Sequence, residues 1–377
     1  MPDVVPDVVI VGAGIVGLAH ALAAAKRGCR VTVLDRDARA NGASIRNFGF
    51  VTVTGQERGA VWERARRSAA IWREVAGPAA IRIEQEGLLV VAQRAETGEV
   101  LDAFMETEMA EGCTRLTARE VQAFCPQANA AAGALQSTAD LRVESRDAIP
   151  RLTAWLEQAY GVSFRFGTAV VGVETGCVTL ADGACIKGDL VVVCPGDDWA
   201  SLYPEIYADA GITRCKLQML RLSAPGWRLP SPVMSDLSMM RYLGYAALPE
   251  AAAIKARLEA EEAEALGWGI HLIAVQSADG TLVVGDSHDY GPTPDPFGHE
   301  AIDAAILRAF ARVLGRPPAV IERWTGTYAS ASGHSIVRSP APSVRLVVVT
   351  SGTGASTSFG LAEEVIGGLV ASKRTSP

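Results

Sequence analysis

The chain has 377 residues, with 35 Lys+Arg against 42 Asp+Glu for a formal net charge of −7, and is 49% hydrophobic and 20% charged. That composition suits a sizeable core in two domains, or one large two-layered unit, and excludes disorder; the acidic balance without a Lys/Arg block argues against a nucleic-acid scaffold. The cysteines at 29, 113, 125, 177, 185, 194 and 215 form no C-x-x-C pair and no two histidines stand at i, i+4, so neither a zinc ribbon nor a helical two-His site is present, a secreted disulfide framework is disfavoured, and a soluble, cytoplasmic, metal-free protein is expected.

From Val4 to Ala25 nearly every residue is apolar or small. Asp3 and Asp7 stand where a signal peptide would be basic, and three glycines interrupt the run, so it reads as a buried parallel strand feeding a buried helix. Asp7–Val11 is the strand, Gly12-Ala13-Gly14-Ile15-Val16-Gly17 the turn, and Leu18–Arg27 the helix, ending at Gly28. Arg30–Leu34 is a second strand, closed by Asp35 eighteen residues beyond Gly17. Gly12 permits the tight turn, Gly14 lets backbone approach a pyrophosphate, and Gly17 lets the helix pack on the strand while the helix N-terminus faces negative charge. A lone G-x-G-x-x-G carries little. Flanked by two strands, a helix and an acid positioned for a ribose diol, it points to a dinucleotide-binding unit for NAD, NADP or FAD. The acid at 35 disfavours a 2′-phosphate, and Arg36 beside it reads as solvated or adenine-facing.

A polar, glycine-punctuated loop follows over 41–50, and then a helix with Val61, Ala65, Ser68, Ile71, Trp72 and Val75 at helical spacing. Ile81–Ile83 and Leu88–Val91 read as strands, 97–111 and 117–125 as helices, and Arg146–Tyr160 as a helix before strands at 162–166 and 168–173. Asp189–Val193 is another apolar strand, breaking at Cys194-Pro195-Gly196-Asp197-Asp198-Trp199. Stretches 212–223, 233–248 and 270–285 form a second strand-rich group, and the Ala/Glu-rich segment 249–266 an exposed helix with a solvated acidic face. Val344–Thr350 is a strand running into Ser351-Gly352-Thr353-Gly354-Ala355-Ser356-Thr357-Ser358, with a helix over about 360–371. This second glycine turn also offers backbone N–H groups at a positive helix end.

The N-terminal fingerprint, Val193-Cys194-Pro195-Gly196 and Ser351-Gly352-Thr353-Gly354 together resemble the D-amino-acid-oxidase, glycine-oxidase and sarcosine-oxidase superfamily of FAD enzymes, over essentially the whole chain. Gly42-Ala43-Ser44-Ile45-Arg46-Asn47-Phe48-Gly49 and Gly285-Asp286-Ser287-His288 resemble its branch associated with phosphonate catabolism, similar to oxidases of 2-aminoethylphosphonate and its N-methyl derivatives. The fold expected is α/β (α+β overall), a Rossmann-like FAD-binding domain over 1–80, 140–215 and 325–377 interleaved with an antiparallel-sheet substrate domain over 81–139 and 216–324.

The resemblance implies that Gly12, Gly14, Ile15 and Gly17 hold the FAD pyrophosphate and Asp35 the adenosine ribose. Ser44, Arg46 and Asn47 would line the path to the flavin, Gly49 and Phe50 its edge, and Val170 the adenine, with Gly196 and Trp199 near the cofactor. Gly352, Gly354, Ser356 and Thr357 would face the pyrimidine end of the isoalloxazine, where reduction gathers negative charge. Glycine-oxidase-like relatives carry a carboxylate-binding Arg where Trp324-Thr325-Gly326-Thr327-Tyr328 places Tyr328, and a tyrosine lacks the paired charged donors of a guanidinium. Candidate donors to a substrate anion are therefore Arg241, Tyr242, His288, Tyr328, Ser332 and His334; Arg241 also reads as a surface residue, His288 as a cap and Tyr328 as an aromatic wall. No Cys lies between Thr325 and Ser332, where sarcosine-oxidase-like relatives tether the flavin, so noncovalent FAD is expected. No Lys occupies 281–285, where some relatives activate oxygen, which leaves oxygen or another acceptor open. The function expected is oxidation of a small primary or secondary amine, preferably an aminophosphonate; the alternatives are an α-amino-acid or 2-hydroxy-acid dehydrogenase or oxidase, or a noncatalytic flavin protein.

Overall fold

β1 (Asp7–Val11) is buried at its three central positions, as a Val/Ile run covered on both faces must be. In the computed structural model, which describes residues 5–375, it lies at the centre of a six-stranded sheet. Asp3 and Val4, at the head of the apolar run, lie outside the described residues. β1 pairs in parallel with β2 (Arg30–Leu34) on one side and β11 (Leu190–Val193) on the other. β7 (Ser163–Arg165) extends the sheet beyond β2; β19 (Val344–Val349) and antiparallel β18 (Ser335–Ala341) extend it beyond β11. The strand order therefore reverses at β1, and α1 (Ile15–Ala25) leaves β1 at that switch point. Ligands of open parallel sheets bind in the crevice outside the carboxyl ends of the strands at such a reversal.

α11 (Gly354–Thr375) packs against α1 and against α2 (Ala60–Ala76). Its crossing with α2 is close because Gly360 has no side chain: a Cβ there would lie 2.8 Å from Arg64 Cα. Ser68 Oγ accepts from Gly360 N at 3.0 Å, Trp72 Nε1 donates to Ala355 O at 2.8 Å, and Arg64 and Arg67 pair with Glu364 and Glu363. α5 (Ser145–Tyr160) also covers α1.

A ten-stranded, largely antiparallel sheet forms the second layer. It contains β3 (Phe50–Val51), β4 (Ile83–Val91), β5 (Cys113–Leu116), β6 (Ala134–Val143) and β12 (Thr213–Leu222), followed by β13 (Val233–Met234), β14 (Ile273–Gln276), β15 (Leu282–Gly285), β16 (Asp289–Gly291) and β17 (Val320–Ser330). A three-stranded sheet of β8 (Val170–Glu174), β9 (Cys177–Leu180) and β10 (Cys185–Lys187) lies beside the parallel sheet. Helices α3 (Ala95–Met105), α4 (Ala118–Phe124), α6 (Pro204–Asp209), α7 (Leu243–Ala246), α8 (Ala251–Glu261), α9 (Ala263–Gly267) and α10 (Glu300–Leu314) complete the fold. No helix among the described residues is long and apolar enough to cross a membrane. The mixed α/β architecture is the one expected from the sequence, and a division of the chain at 215 or 325 would fall within β12 or β17, each continuous across it.

Several local expectations are corrected. The strands expected over 81–91 merge into the single bulged β4. The strand expected over 233–248 stops at Met234, because the buried Asp236 carboxylate accepts from Gln93 N at 3.0 Å and Arg94 Nη1 at 2.8 Å and winds 236–240 into a 3-10 turn. The segment 249–266 is two helices whose acids are not all solvated: Glu262 is 6% exposed and accepts from Arg94 Nη2 at 2.9 Å. Two of the seven cysteines are joined, Cys177 to Cys185 across the β9–β10 hairpin, as one local bridge.

Candidate active site

The first glycine turn is shaped by steric necessity. Gly12 sits at φ +105°, and a Cβ there would lie 2.2 Å from Cys194 O. A Cβ on Gly17 would lie 1.9 Å from Gly12 O, so the helix can return over its own strand only with glycine at that position. A Cβ on Gly14 would lie 2.9 Å from Ser44 Oγ, the oxygen that accepts from Ile15 N at 2.9 Å. Ser44 thus engages one of the first-turn N–H groups of α1, which have no intrahelical partner, and aligns the 43–47 loop on the helix end. Asn47 pins that loop: Nδ2 donates to Ala43 O at 2.8 Å, while Oδ1 accepts from Gly49 N and Ser145 Oγ, each at 2.7 Å. Asp35, half-buried at the end of β2, accepts from Ala13 N at 2.7 Å and Asp37 N at 2.9 Å, fixing the turn to the second strand.

The second turn, Ser351–Gly354, meets the first across a cavity of about 380 Å³. Thr350 N donates to His334 O at 2.9 Å and Thr350 Oγ1 to Gly333 O at 2.5 Å, which ties the β17–β18 turn carrying Ser332 and His334 to the start of α11. Gly352 lies at φ +73°, and a Cβ there would come 3.4 Å from the Tyr328 ring and 3.5 Å from Arg241 Nη2. Ser356 faces the cavity but its hydroxyl accepts from Thr52 N at 2.9 Å. Two helix N-termini, each preceded by bare backbone, therefore face one chamber, as binding a dinucleotide with a negatively charged middle requires. These residues fit FAD.

The side chains at the far end of the chamber come from the ten-stranded sheet and the 236–243 turn. Arg241 Nη1 donates to Tyr290 Oη at 3.0 Å and Nη2 to Ser351 O at 3.4 Å, so the guanidinium lies between the large sheet and the second glycine turn. Burial works against its charge, but Tyr290 and Asp286 outweigh that and raise its pKa. Asp286 is 8% exposed and lines the chamber; burial pushes its carboxyl up to about 6 against the pull of Arg241. His288 Nδ1 lies 2.8 Å from Gly269 O and Nε2 3.7 Å from Asp286 Oδ2, and burial drives its pKa well below the ordinary histidine value. His271 packs edge-on against His288, its centroid 4.9 Å away, and burial with the nearby Arg241 lowers it to about 3. His334 Nε2 meets Glu57 Oε2 at 2.6 Å, leaving a buried Nδ1 without a partner. Among the described residues no three His, Cys, Asp or Glu side chains are gathered closely enough to hold a metal.

Of the residues singled out from sequence, Gly14, Ile15, Gly17, Ser44, Asn47, Phe50 and Gly196 line the first half of the chamber. Arg241, Tyr242, His288, Tyr328, Ser332, His334, Gly352, Gly354 and Ser356 line the second. Tyr328 is a brace more than an anion donor, because its hydroxyl donates to Arg46 O at 3.3 Å, as does Trp324 Nε1. Both stand on one face of β17, with Gly326 between them leaving room for the Arg46 backbone.

The remaining candidates stand off the chamber. Arg46 directs its guanidinium at Thr325 O, 3.5 Å away. Gly49 is needed where a Cβ would lie 1.8 Å from Val143 O. Arg36 is exposed and pairs with Asp198, while the Trp199 ring lies under Arg214, 4.3 Å from its guanidinium carbon. Thr357 Oγ1 donates to Thr353 O at 3.0 Å. Val170 lies in β8, at the edge of the small sheet; two residues before it, Thr168 N donates to Asp35 O at 2.8 Å, which brings this segment beside the second strand. His271, Asp286, Tyr290 and Glu57 were not singled out. Only Asp286 left a signal, as the second residue of Gly285-Asp286-Ser287-His288; the others arrive by tertiary packing.

The fold resembles several solved structures. Glycine oxidase from Bacillus cereus ATCC 14579 superposes with a TM-score of 0.76 at 17% identity, covering 97% of this chain and 95% of that one. Iminodiacetate oxidase from Chelativorans sp. BNC1 gives 0.72 at 19% identity, with 97% and 95% covered. L-alpha-glycerophosphate oxidase from Mycoplasma pneumoniae with FAD bound gives 0.72 at 15% identity, with 96% and 94% covered. No curated protein matches the sequence. The family model described as FAD dependent oxidoreductase matches residues 7–366, and the chain belongs to this DAO family of FAD dependent oxidoreductases.

Proposed function

We propose that the protein oxidises a small primary or secondary amine carrying an anionic tail, an aminophosphonate such as 2-aminoethylphosphonate or its N-methyl derivative. The observation that carries this reading is the presence, within one chamber, of both the Arg241 guanidinium, which reaches the second glycine turn, and the Asp286 carboxyl, each in the other's electrostatic field. A zwitterion with an anion at one end and an ammonium at the other meets both charges. With Tyr328 braced on Arg46 O, Arg241 is the cation that takes the tail, and its remaining N–H donors, with Tyr242 and Ser332, suit an anion with several oxygens.

In this reading Gly12, Gly14 and Gly17 shape the turn that receives the FAD pyrophosphate, Asp35 takes the ribose, Val170 flanks the adenine, and Gly352 and Gly354 present N–H groups to the flavin. The chain divides functionally between the parallel-sheet and large-sheet layers. The cofactor is held noncovalently: Cys194, the cysteine lining the chamber, has its thiol pushed up by burial, away from the nucleophilic thiolate. When bound, FAD supplies the two-electron acceptor for the C–H next to nitrogen, leaving an imine that water hydrolyses to a carbonyl compound. Oxygen, or another acceptor, would take the electrons on. The chain's own contribution is to fix the tail, orient that carbon and manage the amine proton.

Anaerobic addition of 2-aminoethylphosphonate or its N-methyl derivative is expected to bleach the flavin absorbance of the purified protein. Bleaching by glycine, sarcosine, proline or a hydroxy acid, with none by either aminophosphonate, would overturn the substrate class.

A further inference from the structure

We infer that Asp286 is the group that takes the proton from the substrate ammonium, with neutral His288 beside it as a hydrogen-bond acceptor. The inference rests on the amine reading above and goes beyond it by assigning a catalytic residue. A carbon–hydrogen bond is oxidised readily only next to a neutral nitrogen, whose lone pair stabilises the positive charge that develops, while a simple alkylamine is an ammonium at neutral pH. The chamber must therefore contain an acceptor for one proton.

Asp286 meets the geometric requirement. It is buried, it lines the chamber, and among the described side chains its close acid–base partner is His288 Nε2 at 3.7 Å, longer than a hydrogen bond. The carboxylate is thus left free for an incoming N–H donor. The tautomer of His288 follows from its other contact. A carbonyl only accepts, so the 2.8 Å contact with Gly269 O assigns the ring proton to Nδ1 and leaves a lone pair on Nε2, directed at Asp286. Charged and titratable groups facing Asp286 from the packed elements are Arg241 and Tyr242 of the 236–243 turn, His271 before β14 and His288 after β15, with Cys215 and Tyr328 on β12 and β17. The histidines are held neutral by burial, the two tyrosines and the cysteine are pushed further toward their neutral forms, and Arg241 stays cationic, so Asp286 is the acceptor at neutral pH. In the step, an ammonium N–H bond breaks, an O–H bond forms on Asp286, and the electron pair stays on nitrogen. The new O–H lies beside the His288 lone pair, with Nε2 3.7 Å from Asp286 Oδ2.

The test compares the wild-type holoenzyme with Asp286→Asn. The rate of anaerobic flavin reduction by 2-aminoethylphosphonate is expected to fall in wild type below about pH 6, the region to which burial raises the carboxyl. In D286N that break disappears. Reduction at pH 7.5 drops by about 10²- to 10³-fold, the order of what a positioned general base contributes as the nitrogen loses its proton in the reacting complex, and recovers roughly tenfold per pH unit on raising the pH as free neutral amine becomes available. A binding measurement accompanies it. On the dithionite-reduced holoenzyme, which cannot turn over, 2-aminoethylphosphonate is expected to weaken below pH 6 more steeply in wild type than in D286N, while ethylphosphonate, lacking the amine, follows one curve in both. The phosphonate's own ionisation acts equally on the two proteins, so the ratio of their Kd values carries the result. If wild type bleaches and D286N keeps the wild-type pH profile, this inference alone is overturned. If wild-type flavin is not bleached by either aminophosphonate, the substrate reading and this inference fall together.

Discussion

Asp286 illustrates how a reactive residue and a stable fold pull apart. A carboxyl raised to about 6 binds its proton more tightly in the folded than in the unfolded chain. Its contribution is therefore fully present below the unfolded value near 4 and is lost as pH rises through 6. Asparagine resembles the protonated form and does not ionise. Relative to wild type, D286N is expected to gain about 3 kcal/mol of stability between pH 4 and pH 7.5, read from urea midpoints at the two pH values. An unchanged gap would mean that Asp286 titrates normally. The same scale explains Tyr328. Its position reads as a site for an anion donor, but the Arg46 carbonyl it contacts lies 282 residues away in sequence and commits the hydroxyl elsewhere.

At the scale of elements, the cofactor cradle depends on how closely α11 can approach α2. Gly360 permits that approach, and Trp72 stacks edge-on against Phe359 beside it, ring centroids 5.2 Å apart. Gly360→Ala would ordinarily favour a helix slightly. Here its Cβ meets Arg64 backbone at 2.8 Å, which a flexible side chain cannot relieve. The substitution is expected to cost about 1–3 kcal/mol and to weaken FAD retention, since α11 carries Gly354 at its N-terminus. A fluorescence titration of the deflavinated protein with FAD checks the second effect, and an unchanged Kd would separate the crossing from the cradle.

Across the whole molecule, acid sensitivity should come from buried neutral histidines. His20 is fully buried in α1, with Nδ1 2.7 Å from Val16 O and Nε2 unpartnered; burial lowers it to about 4. His271 is lowered to about 3. Both bind fewer protons folded than unfolded below pH 6.5, so the stability they contribute is complete above 6.5 and is lost as pH falls toward their folded values. Between pH 6.5 and 4.5 each is expected to remove about 2 kcal/mol. His288, also depressed by burial, acts in the same sense, so His20→Asn should flatten the urea midpoint over that range by about a third of the combined effect. A mutant as acid-sensitive as wild type would show that His20 charges freely in the folded state.

The G-x-G-x-x-G turn, the acid closing β2 and the glycine turn before α11 were legible from the chain alone because each is a local steric requirement. Backbone at φ +105° or a Cβ 1.9 Å from a carbonyl selects glycine whatever lies far away in sequence. The cofactor half of the chamber could therefore be read as a string, together with the mixed α/β class. The other half could be read only in part, as single candidates such as Arg241 and His288 without their partners. Arg241, His271, Asp286, His288 and Tyr290 come from the 236–243 turn and the ends of separate strands, and no periodicity ties Arg241 to Ser351 or Asp286 to His271. Their meeting is decided by antiparallel register, with Met219 opposite Gly285 and Cys215 opposite both Tyr290 and Tyr328. Register is set by the packing of the entire sheet, and burial there raises one carboxyl and silences two histidines. Sequence thus determined, through backbone sterics, that the chain carries a dinucleotide-binding turn, while the charges that gather at the far end of the chamber were decided only when the strands came together.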